Sequence, residues 1–161
     1  MDTNEKSLRE YLSRALTWGE AHVDIRAALR DVPAKLQGKR PEGMPHSPWE
    51  LLEHMRIATW DILEFSRSKK HKSPDWPAGY WPKNPAPPSL AAWARSAKAL
   101  GRDLTAMGKL VGNPKTDILA PIAHGSGQNI LREALLLADH NAYHLGQLVL
   151  VRRLLGCWPG T

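Results

Sequence analysis

The sequence predicts an all-α protein, a four-helix bundle with long proline-rich connections. Three observations lead there. Apolar residues recur at helical spacing over four segments of the 161-residue chain. Proline, which breaks a helix interior, gathers between those segments: six of the 13 prolines fall between Pro74 and Pro88. Pro33, Pro41, Pro45 and Pro48 mark a second break, and Pro114 with Pro121 a third. No run alternates apolar and polar residues as a half-buried strand does. The length suits one domain with a sizeable core, read as residues 1–161.

The first helix is expected from Glu5 to Asp31, with Leu8, Leu12, Ala15, Leu16, Val23 and Ala27 as its apolar stripe and Pro33 beyond its end. The second has the clearest start. Ser47 can cap, Pro48 suits the first helical position, and Glu50 completes a Ser-x-x-Glu capping box. Leu51, Met55, Ala58, Ile62 and Phe65 then form its core face. The third opens at Ser89, runs through Trp93, Leu100, Leu104 and Met107 to Val111, and stops at Gly112-Asn113-Pro114. The fourth spans Asn129 to Leu155, with Asn129 as cap, Glu133 at the positive end, and Arg152 and Arg153 at the negative end. Its apolar residues occupy more than one stripe, so it is expected to be enclosed, centrally or at a subunit contact.

Composition excludes several classes. Hydrophobic residues at 42% and charged residues at 24% are ordinary globular values, not those of a disordered chain. No apolar run reaches the ~18 residues of a membrane span, and MDTNEKSLRE has no apolar signal core. A single cysteine, Cys157, makes no internal disulfide, which points to a cytoplasmic location. The net charge of +6 permits an anionic partner, but the basic residues are scattered and no nucleic-acid-binding motif accompanies them. A solvated basic surface is the reading adopted.

Chemistry is expected on the fourth helix. His140 and His144 are spaced i, i+4, which sets both rings on one face and lets them chelate one metal ion. Seven histidines would give about 0.3 such pairs by chance, so the spacing needs support. Leu137, Gln147 and Val151 share that face, where unpaired imidazoles are costly to bury. His54 lies beside the core stripe of the second helix and makes a third candidate ligand, since ligands from facing helices converge inside a bundle. Three histidines leave coordination positions open, as reactive sites do. Position 141 is Asn, so the pair is not the HExxH of a zinc peptidase. Asp61, Asp139 and Gln147 are candidate partners behind the ligands, and His22 is kept as a pocket residue. His46, His71 and His124 lie in loops where a solvated ring is the default. Trp76, Tyr80 and Trp81 in the proline-rich connection either plug the bundle end or wall a pocket over the metal.

SPWELLEHMRIATWDILEF at 47–65 and LREALLLADHNAYHLGQLVLVRRLLG at 131–156 resemble the DinB-like superfamily of DinB/YfiT-like metal-dependent enzymes. SPDWPAGYWP at 73–82 and ILAPIAHGSGQ at 118–128 resemble one subgroup of it. The resemblance implies a four-helix bundle, commonly dimeric, with a divalent metal held by His54, His140 and His144. It also implies a chemistry, because characterised relatives include S-transferases that use low-molecular-weight bacterial thiols and a thiol-dependent maleylpyruvate isomerase. The expected function is thus a metal-dependent thiol S-transferase acting on small electrophiles, with Zn or Ni, or else Fe or Mn, as the metal and a low-molecular-weight thiol as cosubstrate. The alternatives are a non-catalytic metal- or small-ligand-binding stress-response protein and a metal-dependent hydrolase. A homodimer is the expected assembly.

Overall fold

In the computed structural model the described residues are 3–17 and 19–159. They form five α-helices: α1 (Thr3–Ala15), α2 (Ile25–Leu29), α3 (Pro48–Arg67), α4 (Ala92–Gly112) and α5 (Ile130–Leu154). Short 3-10 turns lie at Ala34–Leu36 and Ala78–Tyr80. Among the described residues no strand forms, only an isolated bridge between Pro121 and Asn129. The fold is therefore all-α, and the four long helices are the bundle. α3 packs on both α4 and α5, α1 packs on the other side of those two, and α2 lies across α4 and α5.

The capping box forms as the sequence requires. Ser47 Oγ accepts from the Glu50 backbone N–H (3.2 Å), and Glu50 Oε2 accepts from the Ser47 N–H (2.8 Å). Arg40 closes on the same carboxylate. Burial would raise the Glu50 pKa, but the bonds from Arg40 and Ser47 outweigh it and hold the carboxylate below its usual range. Ser47 Oγ also donates to the Pro85 carbonyl (2.5 Å), which ties the proline-rich connection to the start of α3.

The core fills the space between helices with Leu51, Leu52, Met55, Leu63, Leu100, Leu104, Met107, Leu137, Leu148 and Val151, all essentially inaccessible. Each contributes roughly 1.5–3 kcal/mol of transfer free energy to the bundle. Arg9 of α1 supplies donors to the carbonyls at and beyond the end of α4: Nη1 to Val111 (2.7 Å) and Asn113 (3.1 Å), and Nη2 to Thr116 (2.7 Å).

One element departs from expectation. The single first helix predicted over Glu5–Asp31 is two helices, broken between Ala15 and Ile25. Gly19 lies in the break, and glycine disfavours a helix interior by about 1 kcal/mol. Asp24 then starts a new helix by accepting from the Ala27 N–H (2.8 Å), and Asp31 ends the segment at φ 57°. Trp18, inside the predicted helix, lies outside the described residues, as do the ends of the 1–161 domain. The third helix begins at Ala92 instead of Ser89, whose carbonyl closes a preceding turn on the Ala92 N–H (3.0 Å).

Candidate metal centre

α3 and α5 face each other, and their contact brings His54 beside His140 and His144. Among the described residues this is the one group of His, Cys, Asp or Glu whose ligand atoms lie within 4.8 Å of one another. His54 and His144 are buried and His140 is half-buried. His54 Nε2 stands 3.0 Å from both His144 Nε2 and His140 Nε2.

The opposite edge of each ring fixes its tautomer. His54 Nδ1 is 2.9 Å from the Tyr80 carbonyl, which only accepts, so Nδ1 carries the proton. His144 Nδ1 donates to Gln147 Oε1 (2.8 Å). His140 Nδ1 donates to Asn141 Oδ1 (3.3 Å), and Asn141 is itself oriented because its Nδ2 donates to Thr59 Oγ1 (3.2 Å). All three Nε2 atoms are thereby left as lone pairs pointing together. Protonation is also disfavoured. Burial, against the pull of the Tyr80 carbonyl, lowers His54 to about 4; burial likewise lowers His144 to about 4 and His140 below its usual value.

The two 3.0 Å contacts of His54 Nε2 have no donor between them, so they are not hydrogen bonds. A shared cation would resolve the repulsion. Two nitrogens on one zinc ion, each bonded at about 2.0–2.1 Å, lie at most about 4 Å apart, and the observed separations are inside that limit. The donor set fits a divalent transition metal, for which neutral imidazole is a natural ligand.

Trp81 covers the cluster. Its indole stacks on His54 (centroids 3.9 Å apart, planes 1° apart) and on His46 (4.0 Å, 15°). Gln147 meets His144 as described. Asp61 does not reach the cluster; it binds Tyr80 and His71 one layer behind it. Asp139 is exposed. Trp76 touches Tyr80 edge-on (5.4 Å) and is 78% exposed, so its ring stands away from the three histidines. His22 lies in the break between α1 and α2, not inside a helix as predicted, and is exposed. It borders a small cleft with Ala138, Asn141, Ala142 and Leu145, on a different face of α5 from the histidine pair.

Sequence reasoning missed two histidines. His46 and His71 are not freely solvated: His46 is stacked on Trp81 with a buried, unpartnered Nδ1, and His71 is held by Asp61. Position 46, directly before the Ser47 cap, was the available signal, since a residue there is carried to the start of α3. His124 keeps its exposed place, with Nε2 donating to the Phe65 carbonyl (2.7 Å).

An all-α bundle with a histidine cluster shared by two facing helices defines the class of protein. The chain belongs to the DinB superfamily, whose family model matches residues 17–148. No curated protein and no solved structure matches the chain. The family and the cluster together are compatible with a metal-binding protein. No helix among the described residues is long and apolar enough to cross a membrane.

Proposed function

We propose that the chain is a divalent-metal-dependent enzyme, a thiol S-transferase acting on small electrophiles, with His54, His140 and His144 as the metal ligands. The observation that carries the metal is the convergence of three unprotonated Nε2 atoms, with that of His54 3.0 Å from each of the other two and every ring fixed by an acceptor behind it. A divalent ion bound there supplies Lewis acidity, lowering the pKa of a thiol or water ligand. The residues do the rest. Tyr80, Asn141 and Gln147 hold the rings in their ligating tautomers. Trp81, stacked between His54 and His46, shields one side of the cluster.

Thiol transfer is favoured over hydrolysis for two reasons. The resemblance includes thiol-using transferases, and the carboxylate nearest in sequence logic, Asp61, is engaged by Tyr80 and His71 and so is not free as a general base. The cytoplasm is the compartment that suits this chemistry and the lone cysteine. We further propose a homodimer. Leu135, Tyr143, Leu150 and Leu154 expose an apolar stripe along α5, and Tyr143 meets His144 edge-on (4.9 Å).

Metal analysis of untagged protein, beside His54→Ala and His144→Ala, is the first test. About one metal per chain, lost in either variant while helicity persists, supports the site. Thiol consumption with a panel of electrophiles then tests the reaction. Metal without thiol consumption but with ester or amide cleavage would move the assignment to a hydrolase. Metal with no exchangeable ligand would leave a binding protein.

A further inference from the structure

We propose that Asp61, Tyr80 and His71 form a brace that positions the His54 imidazole for its metal, although no side chain of the three belongs to the ligand cluster. The inference rests on the metal-site reading above.

The brace begins with the register of α3. His54 and Asp61 are two helical turns apart on one face, about 10.5 Å along the axis at 1.5 Å per residue. The connection after α3 returns so that one tyrosine spans this distance. The Tyr80 carbonyl accepts from His54 Nδ1 (2.9 Å), and the Tyr80 hydroxyl donates to Asp61 Oδ2 (2.6 Å). Tyr80 is thus a strut laid along α3, fixed to the helix at both ends. Trp81, the next residue, is delivered by the same backbone onto the face of His54. His54 is gripped at its Nδ1 edge and on its ring face by two consecutive residues.

Asp61 fastens the whole connection. Its second oxygen takes His71 Nε2 (2.7 Å), at the start of the loop, and Trp60 meets the His71 ring edge-on (4.9 Å). One buried carboxylate therefore pins the loop at two points, residues 71 and 80. A metal-ligating histidine is commonly oriented by a carboxylate directly on its Nδ1–H. Here the carboxylate acts at one remove, through a tyrosine whose backbone makes the contact.

The test uses the full chain with Tyr80→Phe and, separately, Asp61→Asn, titrated with Zn²⁺ against a chromophoric chelator. Each variant is expected to weaken Zn²⁺ binding by up to about 10-fold, the lower end of the effect of losing a direct ligand-orienting partner, because the Tyr80 carbonyl itself is retained. The double variant is expected to bind no more weakly than the worse single one, because both act through one contact. An unchanged dissociation constant in Tyr80→Phe would overturn the brace. A second readout needs no metal: ¹⁵N-imidazole spectra of the metal-free chain. His54 is expected to hold its proton on Nδ1 in the wild type and to exchange between Nδ1 and Nε2 in both variants. A His54 that keeps one tautomer in both variants also overturns the inference. Failure of the wild type to bind Zn²⁺ counts against the metal site instead, and the tautomer readout still decides the brace. Tyr80→Phe, which removes one hydroxyl, carries the test should Asp61→Asn not fold.

Discussion

Arg152 lies near the end of α5, where a cation suits the helix dipole, yet it is completely buried. Nη1 donates to the Ala28 carbonyl and Nη2 to the Cys157 carbonyl, both at 2.7 Å, and the guanidinium sits 5.0 Å over Trp158. The side chain therefore ties α2 and the C-terminal turn to α5. Truncation leaves buried carbonyls without donors, so Arg152→Ala is expected to lower stability by about 1–3 kcal/mol, read as a fall in the urea midpoint at constant slope. The cluster histidines make a prediction about pH. His54 and His144 have folded-state values of about 4, below the unfolded value near 6.5. Between those values the unfolded chain binds more protons, so folded stability rises with pH there. Metal-free protein is expected to be fully stabilised above pH 6.5 and to lose stability as pH falls toward 4. Urea titrations at pH 7.5 and pH 5 check this, and a His54→Ala/His144→Ala variant should show a smaller difference between them. An equal difference would place the pH dependence elsewhere.

At the scale of elements, the sequence was most legible where the signal is local. The capping box of α3 needs only Ser47 and Glu50, and Ser47→Ala is expected to cost about 1 kcal/mol of stability. α4 tests the converse. Gly101 sits inside it with nothing within 4 Å of an added Cβ, so Gly101→Ala is expected to stabilise by about 0.5–1 kcal/mol. Thermal unfolding reads both changes, and a destabilised Gly101→Ala would mean that the position is covered in solution. The break between α1 and α2 was not legible, because the apolar spacing runs on through Leu16, Val23 and Ala27. Only Gly19 and the capping by Asp24 interrupt it. The site divides along the same line. His140 and His144 announce themselves by i, i+4 spacing on one helix, and His54 by its place beside a core stripe. Of their partners only Gln147, three residues beyond His144 on the same helix, was readable; the acceptor on His54 is a backbone carbonyl, which no residue type encodes. His46 and His71 are in loops as read, but their rings are not solvated, because stacking on Trp81 and pairing with Asp61 are contacts between separate segments that local sequence does not show.

For the whole molecule, the unresolved demand comes from α5. The sequence required this helix to be enclosed, and the bundle encloses only part of it: Leu137, Leu148 and Val151 are buried, whereas Leu135, Tyr143, Leu150 and Leu154 remain about half exposed or more. These four fall within an arc of about 100° of the helix, interleaved with the exposed charges of Arg132, Asp139 and Arg153. A two-fold dimer through this face would pair the same stripe with itself, which is how most soluble homo-oligomers associate, and would cover the four exposed apolar side chains. The face adjoins the histidine pair through Tyr143, so association would also limit solvent access to His144. Leu150 is exposed and lies six residues beyond His144 on another side of α5, which makes it the position at which assembly and metal binding separate. Sedimentation of the wild type is expected to give a dimer, and Leu150→Asp a monomer that retains its helicity and its metal. A monomeric wild type at tens of micromolar would sink the dimer and leave the exposed stripe to a different partner. A monomeric variant that also loses its metal would instead show that the second copy completes the site.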